Sequence, residues 1–262
     1  METQRTDCSI EAMFGIAGRV ALVSGAAGGI GREISLALSR LGVKMALVDL
    51  DGEKLTSLES EIRRNSGEAL VVRTDITDKD SVQSMADAVI ARFGRVDILV
   101  NCAGLSYLED ATDFDEDRWD RLMEVNVKGT FLVCQAVGRY MLRQKYGRIV
   151  NFSSVRGLQG RARDLAYAPS KGAVNQLTKS LAIEWAQSGI NVNAIAPTWT
   201  LTDMNRSLLE EEKTSQWVLS RIPKGRLGEP RDIVGPLVYL CAPCSEFVTG
   251  QVLYVDGGWT AA

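Results

Sequence analysis

From Arg19 almost to the C-terminus, short β-branched apolar runs alternate with longer amphipathic ones. The apolar runs fall at residues 20–23, 43–48, 69–72, 98–100, 148–152, 190–195 and 252–255. Between them, helical periodicity covers 30–41, 53–64, 79–93, 119–142, 166–187 and 231–241. Strands separated by helices cannot pair as hairpins, so they assemble as a parallel sheet covered on both faces. The expected fold is α/β, a doubly wound sheet of about seven strands within one domain spanning 1–262. The stretch 197–228 interrupts the rhythm; it is polar and holds Glu210, Glu211 and Glu212 in a row. Two readings stand for it: a lid past the C-terminal end of a strand, or a solvated surface helix.

The chain contains no histidine, which excludes Ser-His-Asp and Cys-His catalysis and any His-ligated catalytic zinc. Acid/base work therefore falls to Tyr, Lys, Asp, Glu or Cys. The five cysteines (Cys8, Cys102, Cys134, Cys241, Cys244) are scattered, as in a reduced cytosolic protein. Cys241 and Cys244 form one CxxC with no second pair to complete a metal site, and read as the end of an apolar helix. No metal is expected. A net charge of −3 gives no reason to expect nucleic acid or an anionic membrane as partner. The N-terminus is charged (Glu2, Arg5, Asp7, Glu11), and no apolar run approaches the ~20 residues of a membrane span. A cytoplasmic location is expected.

After the first strand come Ser24, Gly25, Ala26, Ala27, Gly28, Gly29, Ile30 and Gly31, opening the first helix. Glycines there bring main chain close to a pyrophosphate, which a helix N-terminus attracts. Alone, the turn reads equally as a tight connection. Asp49 ends the second strand 18 residues past Gly31, where a carboxylate accepts both adenosine-ribose hydroxyls and repels a 2′-phosphate. No Arg or Lys stands within the turn or just after Asp49, so NAD is expected rather than NADP. Further on, Tyr167 and Lys171 are four residues apart and share a helix face. An ammonium beside a phenol favours the phenolate, which would lower the Tyr167 pKa from ~10 toward working pH.

Together these motifs resemble the short-chain dehydrogenase/reductase family in its ~250-residue form, from Phe14 to Trp259. The resemblance implies a Rossmann-type fold and nicotinamide chemistry. The glycine turn matches TGxxxGxG with Ser24 for Thr. Asp75 and Ile76 match the pair that contacts adenine. Asn101, Cys102, Ala103 and Gly104 resemble NNAG, with Cys for the second Asn. Asn126 matches the family's catalytic Asn, and Ser154, Tyr167 and Lys171 keep its 13- and 4-residue spacings. Pro197 and Thr202, with Thr200 between them, match PGxxxT near the nicotinamide, although Thr198 replaces the Gly. The run from Tyr254 to Gly258 matches its closing YVDGG.

By that resemblance, Tyr167 exchanges a proton with the substrate oxygen as hydride moves to or from the nicotinamide. Lys171 bonds the nicotinamide ribose, Ser154 holds the substrate oxygen, and Asn126 anchors a water linking Lys171 to solvent. The family also implies a homotetramer.

The substrate is less determined. Arg156, Arg161 and Arg163 lie between Ser154 and Tyr167, and guanidinium suits carboxylate, phosphate or sulfonate. They read either as an anion site, with Arg156 and Arg163 as candidates, or as partners of Asp164, Glu109, Asp110 or a neighbouring subunit. Trp199 walls the pocket or packs under the lid. Around Arg163 and Asp164 and from Ser170 to Val174, the sequence is similar to gluconate 5-dehydrogenases. The expected activity is NAD-dependent interconversion of a secondary alcohol and a ketone on a polyol, sugar acid or hydroxy-sulfonate. A 3-oxoacyl-thioester reductase and a non-catalytic NAD-binding scaffold are the alternatives.

Overall fold

The computed structural model of the protein describes residues 9–202 and 206–261. Cys8 and the charged residues Glu2, Arg5 and Asp7 lie outside the described residues, as do 203–205 of the expected lid.

Seven strands form one sheet: β1 (Val20–Ser24), β2 (Lys44–Asp49), β3 (Ala69–Arg73), β4 (Ile98–Asn101), β5 (Gly147–Phe152), β6 (Ile190–Pro197) and β7 (Val252–Val255). Their order is β3-β2-β1-β4-β5-β6-β7, with every pairing parallel. The helices are α1 (Ile10–Phe14), α2 (Gly29–Arg40), α3 (Gly52–Arg64), α4 (Lys79–Phe93), α5 (Glu116–Met123), α6 (Thr130–Gln144), α7 (Tyr167–Trp185), α8 (Arg206–Glu210), α9 (Glu212–Ser220) and α10 (Pro230–Cys241).

Alternate strand residues face opposite layers, so β1 sends Ala21 and Val23 to one core and Val20 and Leu22 to the other. The first core is closed by Ile34, Leu38, Leu58 and Leu237, the second by Met85, Val89, Val137 and Met141. The chain winds from β1 outward to β3, then returns to place β4 on the other side of β1. The crevice at this reversal, beyond the carboxyl ends of β1 and β4, is where such a sheet binds ligands.

Residues 119–142 do not form one regular helix. Between α5 and α6 lies a π-helical stretch, Glu124–Gly129, with Asn126 inside it. The Asn126 amide accepts from the Leu105 N–H (2.7 Å) and donates to the Leu105 carbonyl (2.9 Å) and Ser170 Oγ (3.0 Å). Holding those partners fits the widened turn, and π-bulges of this kind cluster at functional sites.

The segment after β6 carries α8 and α9 and has a small core of its own, in which Leu209, Val218 and Ile222 meet Val155 and Trp259. These contacts anchor the segment, while α9 is otherwise largely exposed, with Val218 as its buried residue. The glutamate run falls at a helix junction: Glu210 ends α8 and Glu212 opens α9, where acid complements the helix dipole. Its base is closed by Gly228 N–H to the Trp199 carbonyl and Leu201 N–H to the Gly228 carbonyl, each 2.9 Å. Cys241 is buried at the end of α10, and both it and Cys244 are free thiols. Among the described residues, no helix is long and apolar enough to cross a membrane.

Candidate active site

Gly25 has φ +72°, and a Cβ on it would meet Ala103 N at 2.6 Å; one on Gly31 would meet the Gly25 carbonyl oxygen at 2.1 Å. The turn therefore closes only with glycine at both positions. Its N–H groups and the N-terminus of α2 face a cavity of about 280 Å³ that runs to Phe152, Ser154, Tyr167 and Lys171. A second cavity of about 220 Å³ shares Gly25, Gly28, Cys102, Gly104 and Leu105 with it. The second cavity is lined as well by Asp49, Asp75, Ile76 and Ala103.

Asp49 stands at the end of β2, and its carboxylate accepts from the N–H groups of Ala27 (3.1 Å), Leu50 (2.8 Å) and Asp51 (3.2 Å). Asp75 turns its carboxylate onto the N–H and hydroxyl of Thr77, which hold its pKa below the usual carboxylate range. The pair of cavities fits a dinucleotide. Glycine lets the main chain approach a diphosphate at a helix N-terminus, and a carboxylate waits where a ribose would lie. Lys54 also reaches the larger cavity from α3, a cation that lies too far along the sequence from Gly31 to be read as part of the turn.

At the other end, β5 delivers the chain to Ser154, which caps a short turn by accepting from Arg156 N–H at 3.1 Å. Helix α7 begins at Tyr167, with Pro169 in its first turn, where a missing N–H breaks no helical bond. Lys171 follows one turn later on the same face. Ser154 and Tyr167 line the same cavity, and the Ser154 Oγ reaches the Pro197 carbonyl at 3.5 Å. Ser153 instead aims its Oγ at the carbonyl oxygens of Ser154 (3.5 Å) and Lys171 (3.4 Å), so the geometry separates the two serines.

The electrostatics differ from the sequence expectation. Burial pushes the Tyr167 phenol up to about 12, opposed only in part by Ser154. Lys171, also buried, is pushed down to about 8. Its Nζ donates to the Phe152 carbonyl at 2.7 Å, and it lies 5.5 Å from the centroid of the phenol ring. Desolvation dominates here, so the lowered phenol pKa expected from the Tyr–Lys spacing is not found.

Three expected residues stand behind the cavity walls. Asn126 fixes Leu105, while a methyl on Gly104 would sit 3.2 Å from Asn126 Oδ1 and 3.6 Å from Lys171 Nζ. Asn101 donates to Asn151 Oδ1 (2.9 Å) and Cys134 Sγ (3.1 Å), and Ser24 Oγ points to Asn101. Pro197, Thr200 and Thr202 line the larger cavity along with Gly29 and Ile30, and Thr202 packs against Gly29.

A third cavity of about 210 Å³ opens on the other side of Ser154, Tyr167 and Thr198, walled by Arg156, Arg161, Asp164 and Trp199. Arg163 lies apart from it. That side chain is exposed and pairs with Asp110 at 3.4 Å. Arg161, which the sequence reading did not choose, takes its place in the wall.

Comparisons with known proteins agree with this geometry. Residues 25–260 match the family described as enoyl-(acyl carrier protein) reductase. The gluconate 5-dehydrogenase of Gluconobacter oxydans is 37% identical over 250 residues, 95% of this chain and 98% of that protein. The chain belongs to the short-chain dehydrogenase/reductase family. Within the family, subunit BbsD of a hydroxy(phenyl)methylsuccinyl-CoA dehydrogenase from Thauera aromatica is 42% identical over 245 residues, covering 94% of this chain and 98% of the relative. A crystal structure of the gluconate 5-dehydrogenase from Burkholderia cenocepacia, in complex with NADP and tartrate, superimposes with a TM-score of 0.93. It is 37% identical and covers 96% of this chain and 98% of that one. Short-chain dehydrogenases/reductases use a nicotinamide cofactor, and the chain is an oxidoreductase of this family.

Proposed function

We propose that the protein is an NAD-dependent dehydrogenase interconverting a secondary alcohol and a ketone on a small polyol or sugar acid. The observation that carries this is the place of Tyr167. It stands in the wall between the dinucleotide-shaped cavity and the third cavity, and Ser154 lines both with it. A nicotinamide dinucleotide, when bound, supplies or accepts the hydride. Ser154 holds the substrate oxygen, and Tyr167 gives its proton to a ketone oxygen or takes one from a hydroxyl. A phenol raised to about 12 keeps its proton at neutral pH, which suits donation; oxidation then quickens as pH rises. Lys171 holds its ammonium beside the ring, and Asn126 holds the Leu105 main chain.

Asp49 supports NAD, because its carboxylate would face a 2′-phosphate. Lys54 and the NADP-bound relative are the counterweights, so the cofactor needs its own measurement. The lid reading of 197–228 belongs to this proposal, as does a homotetramer, for which the exposed Phe131 beside α5 is a candidate buried surface. A second reading, reduction of acyl thioesters, draws on the Thauera aromatica relative; the modest third cavity and Asp49 weigh against it.

Initial rates on polyols, sugar acids and an acetoacetyl thioester with each cofactor, followed by the near-ultraviolet absorbance of the reduced form, test the proposal. Tyr167→Phe is expected to lower kcat by ~10²–10⁴ with NAD on the best substrate. Near-normal turnover would end this mechanism, and preference for NADPH and the thioester would favour the second reading.

A further inference from the structure

The walls of the third cavity hold two guanidiniums and one carboxylate. Arg156 Nε lies 3.9 Å from Asp164 Oδ2, with both side chains buried, so these two largely neutralise each other. Arg161 is left as the excess charge. Its guanidinium lies 5.0 Å from the ring centroid of Trp199 and 5.4 Å from that of Trp217. Trp217 is carried on α9 and packs edge-on against Trp259 at 5.8 Å. Among the described residues, no carboxylate lies within ion-pair distance of Arg161. Aromatic faces hold a guanidinium by its plane and leave its N–H donors at the edge.

The same walls have unused hydrogen-bonding capacity. Arg156 Nη2, Asp164 Oδ1 and Thr198 Oγ1 are buried without a partner, and only two other such side-chain atoms occur among the described residues. More than ~90% of buried polar atoms in folded proteins are paired, so three on the walls of one cavity point to a ligand. They comprise a donor, an acceptor and a hydroxyl that is both.

We propose that Arg161, held by Trp199 and Trp217, selects a monoanionic hydroxy acid by taking its carboxylate, while Asp164, Arg156 and Thr198 meet the hydroxyls of its chain. The assignment rests on the reaction proposed above. One excess positive charge matches a monocarboxylate, and Asp164 disfavours a second acid group. At about 210 Å³ the cavity is below the ~300–1,000 Å³ of drug-sized sites, which suits a short hydroxylated chain.

D-gluconate and D-glucitol differ only in carboxylate against hydroxymethyl at C1, so the ratio of their kcat/KM values isolates the acid. Arg161→Gln is expected to lower that ratio on the order of 10- to 100-fold, the worth of a charge-assisted bond. Arg161→Lys, which keeps the charge without the planar fork, should fall between. In parallel, D-gluconate binding to the enzyme–NADH complex is followed by tryptophan fluorescence, with melting curves confirming that each variant is folded. An unchanged ratio, or D-gluconate binding equally well in Arg161→Gln, overturns the inference, and so does no binding to the wild type. Arg161-dependent binding without turnover supports the inference and counts instead against the proposed reaction.

Discussion

On the glycine-turn side of the site, the walls are mostly main chain. Gly25, Gly28 and Gly31 present peptide groups, and even Asp49 is held by three backbone N–H groups. On the side of the third cavity they are side chains brought from distant segments, Arg156 and Arg161 after β5 and Trp199 after β6, with the Trp217 ring of α9 at 5.4 Å from the Arg161 guanidinium. A wall of main chain tolerates little change, because its shape is the path of the backbone itself. A wall of side chains is held by the backbone but not specified by it. One framework can thus keep a cofactor-shaped cavity while the facing cavity changes its chemistry, and substitutions on the two sides should fail differently.

The largest effect is expected on the main-chain side. In Gly31→Ala the new methyl would lie 2.1 Å from the Gly25 carbonyl oxygen and 3.2 Å from Ala26 Cα, both backbone atoms with nowhere to go. Overpacking of this kind costs about 1–3 kcal/mol, or roughly 2–12 °C in Tm for a chain of this size. The turn must open to relieve it, so NADH affinity should fall by at least about tenfold. Calorimetry and fluorescence titration of the variant check both. A variant that melts and binds like the wild type would mean that the turn is more pliable than its geometry indicates.

The boundary between the two sides carries a smaller, pH-linked effect. Lys171 is pushed down to about 8 in the folded protein from about 10.5 in the unfolded chain. Below pH 8 both states carry the ammonium, and folding bears its full desolvation penalty. Between pH 8 and about 10.5 the unfolded state binds more protons, so this group makes stability rise with pH. In Lys171→Met the penalty is absent throughout. The stability gap between the variant and the cofactor-free wild type, on the order of 1–3 kcal/mol, should be widest below pH 8 and shrink toward pH 10.5. Urea melts across that range measure it. A gap that widened with pH would show that the Phe152 hydrogen bond, not burial, sets the state of the lysine.

The same contrast decides what could be read in the sequence. The sheet was legible because its central strands are buried on both faces and announce themselves as apolar, mostly β-branched runs. The glycine turn and Asp49 were legible because main-chain walls require particular residues at fixed spacing. Three features were not. The π-helical stretch arises from the Asn126 amide gripping Leu105, a tertiary contact that helical periodicity does not reveal. The raised phenol of Tyr167 reflects burial, which residue spacing does not reveal. The Trp199–Arg161–Trp217 arrangement joins three segments far apart in the chain, so the sequence reading chose Arg156 and Arg163 and passed over Arg161.

The exchange of Arg163 for Arg161 gives the smallest and sharpest test. Arg163 and Arg161 are two residues apart in one loop, with the same charge and reach, yet only Arg161 lines the third cavity. Arg163 sits at φ +65° with its guanidinium in solvent, 3.4 Å from an equally exposed Asp110. An exposed pair of this kind contributes about 0–1 kcal/mol. The bond that Arg163 makes to the neighbouring segment runs from Glu109 N–H to its backbone carbonyl at 3.0 Å, and alanine keeps it. Arg163→Ala should therefore shift stability by no more than about 0.5 kcal/mol and leave the acid-to-polyol ratio within about twofold of the wild type. Should Arg163→Ala lower that ratio as far as Arg161→Gln does, the substrate acid would be sensed by the charge of the whole loop, and the side-chain wall would lose the specificity assigned to it.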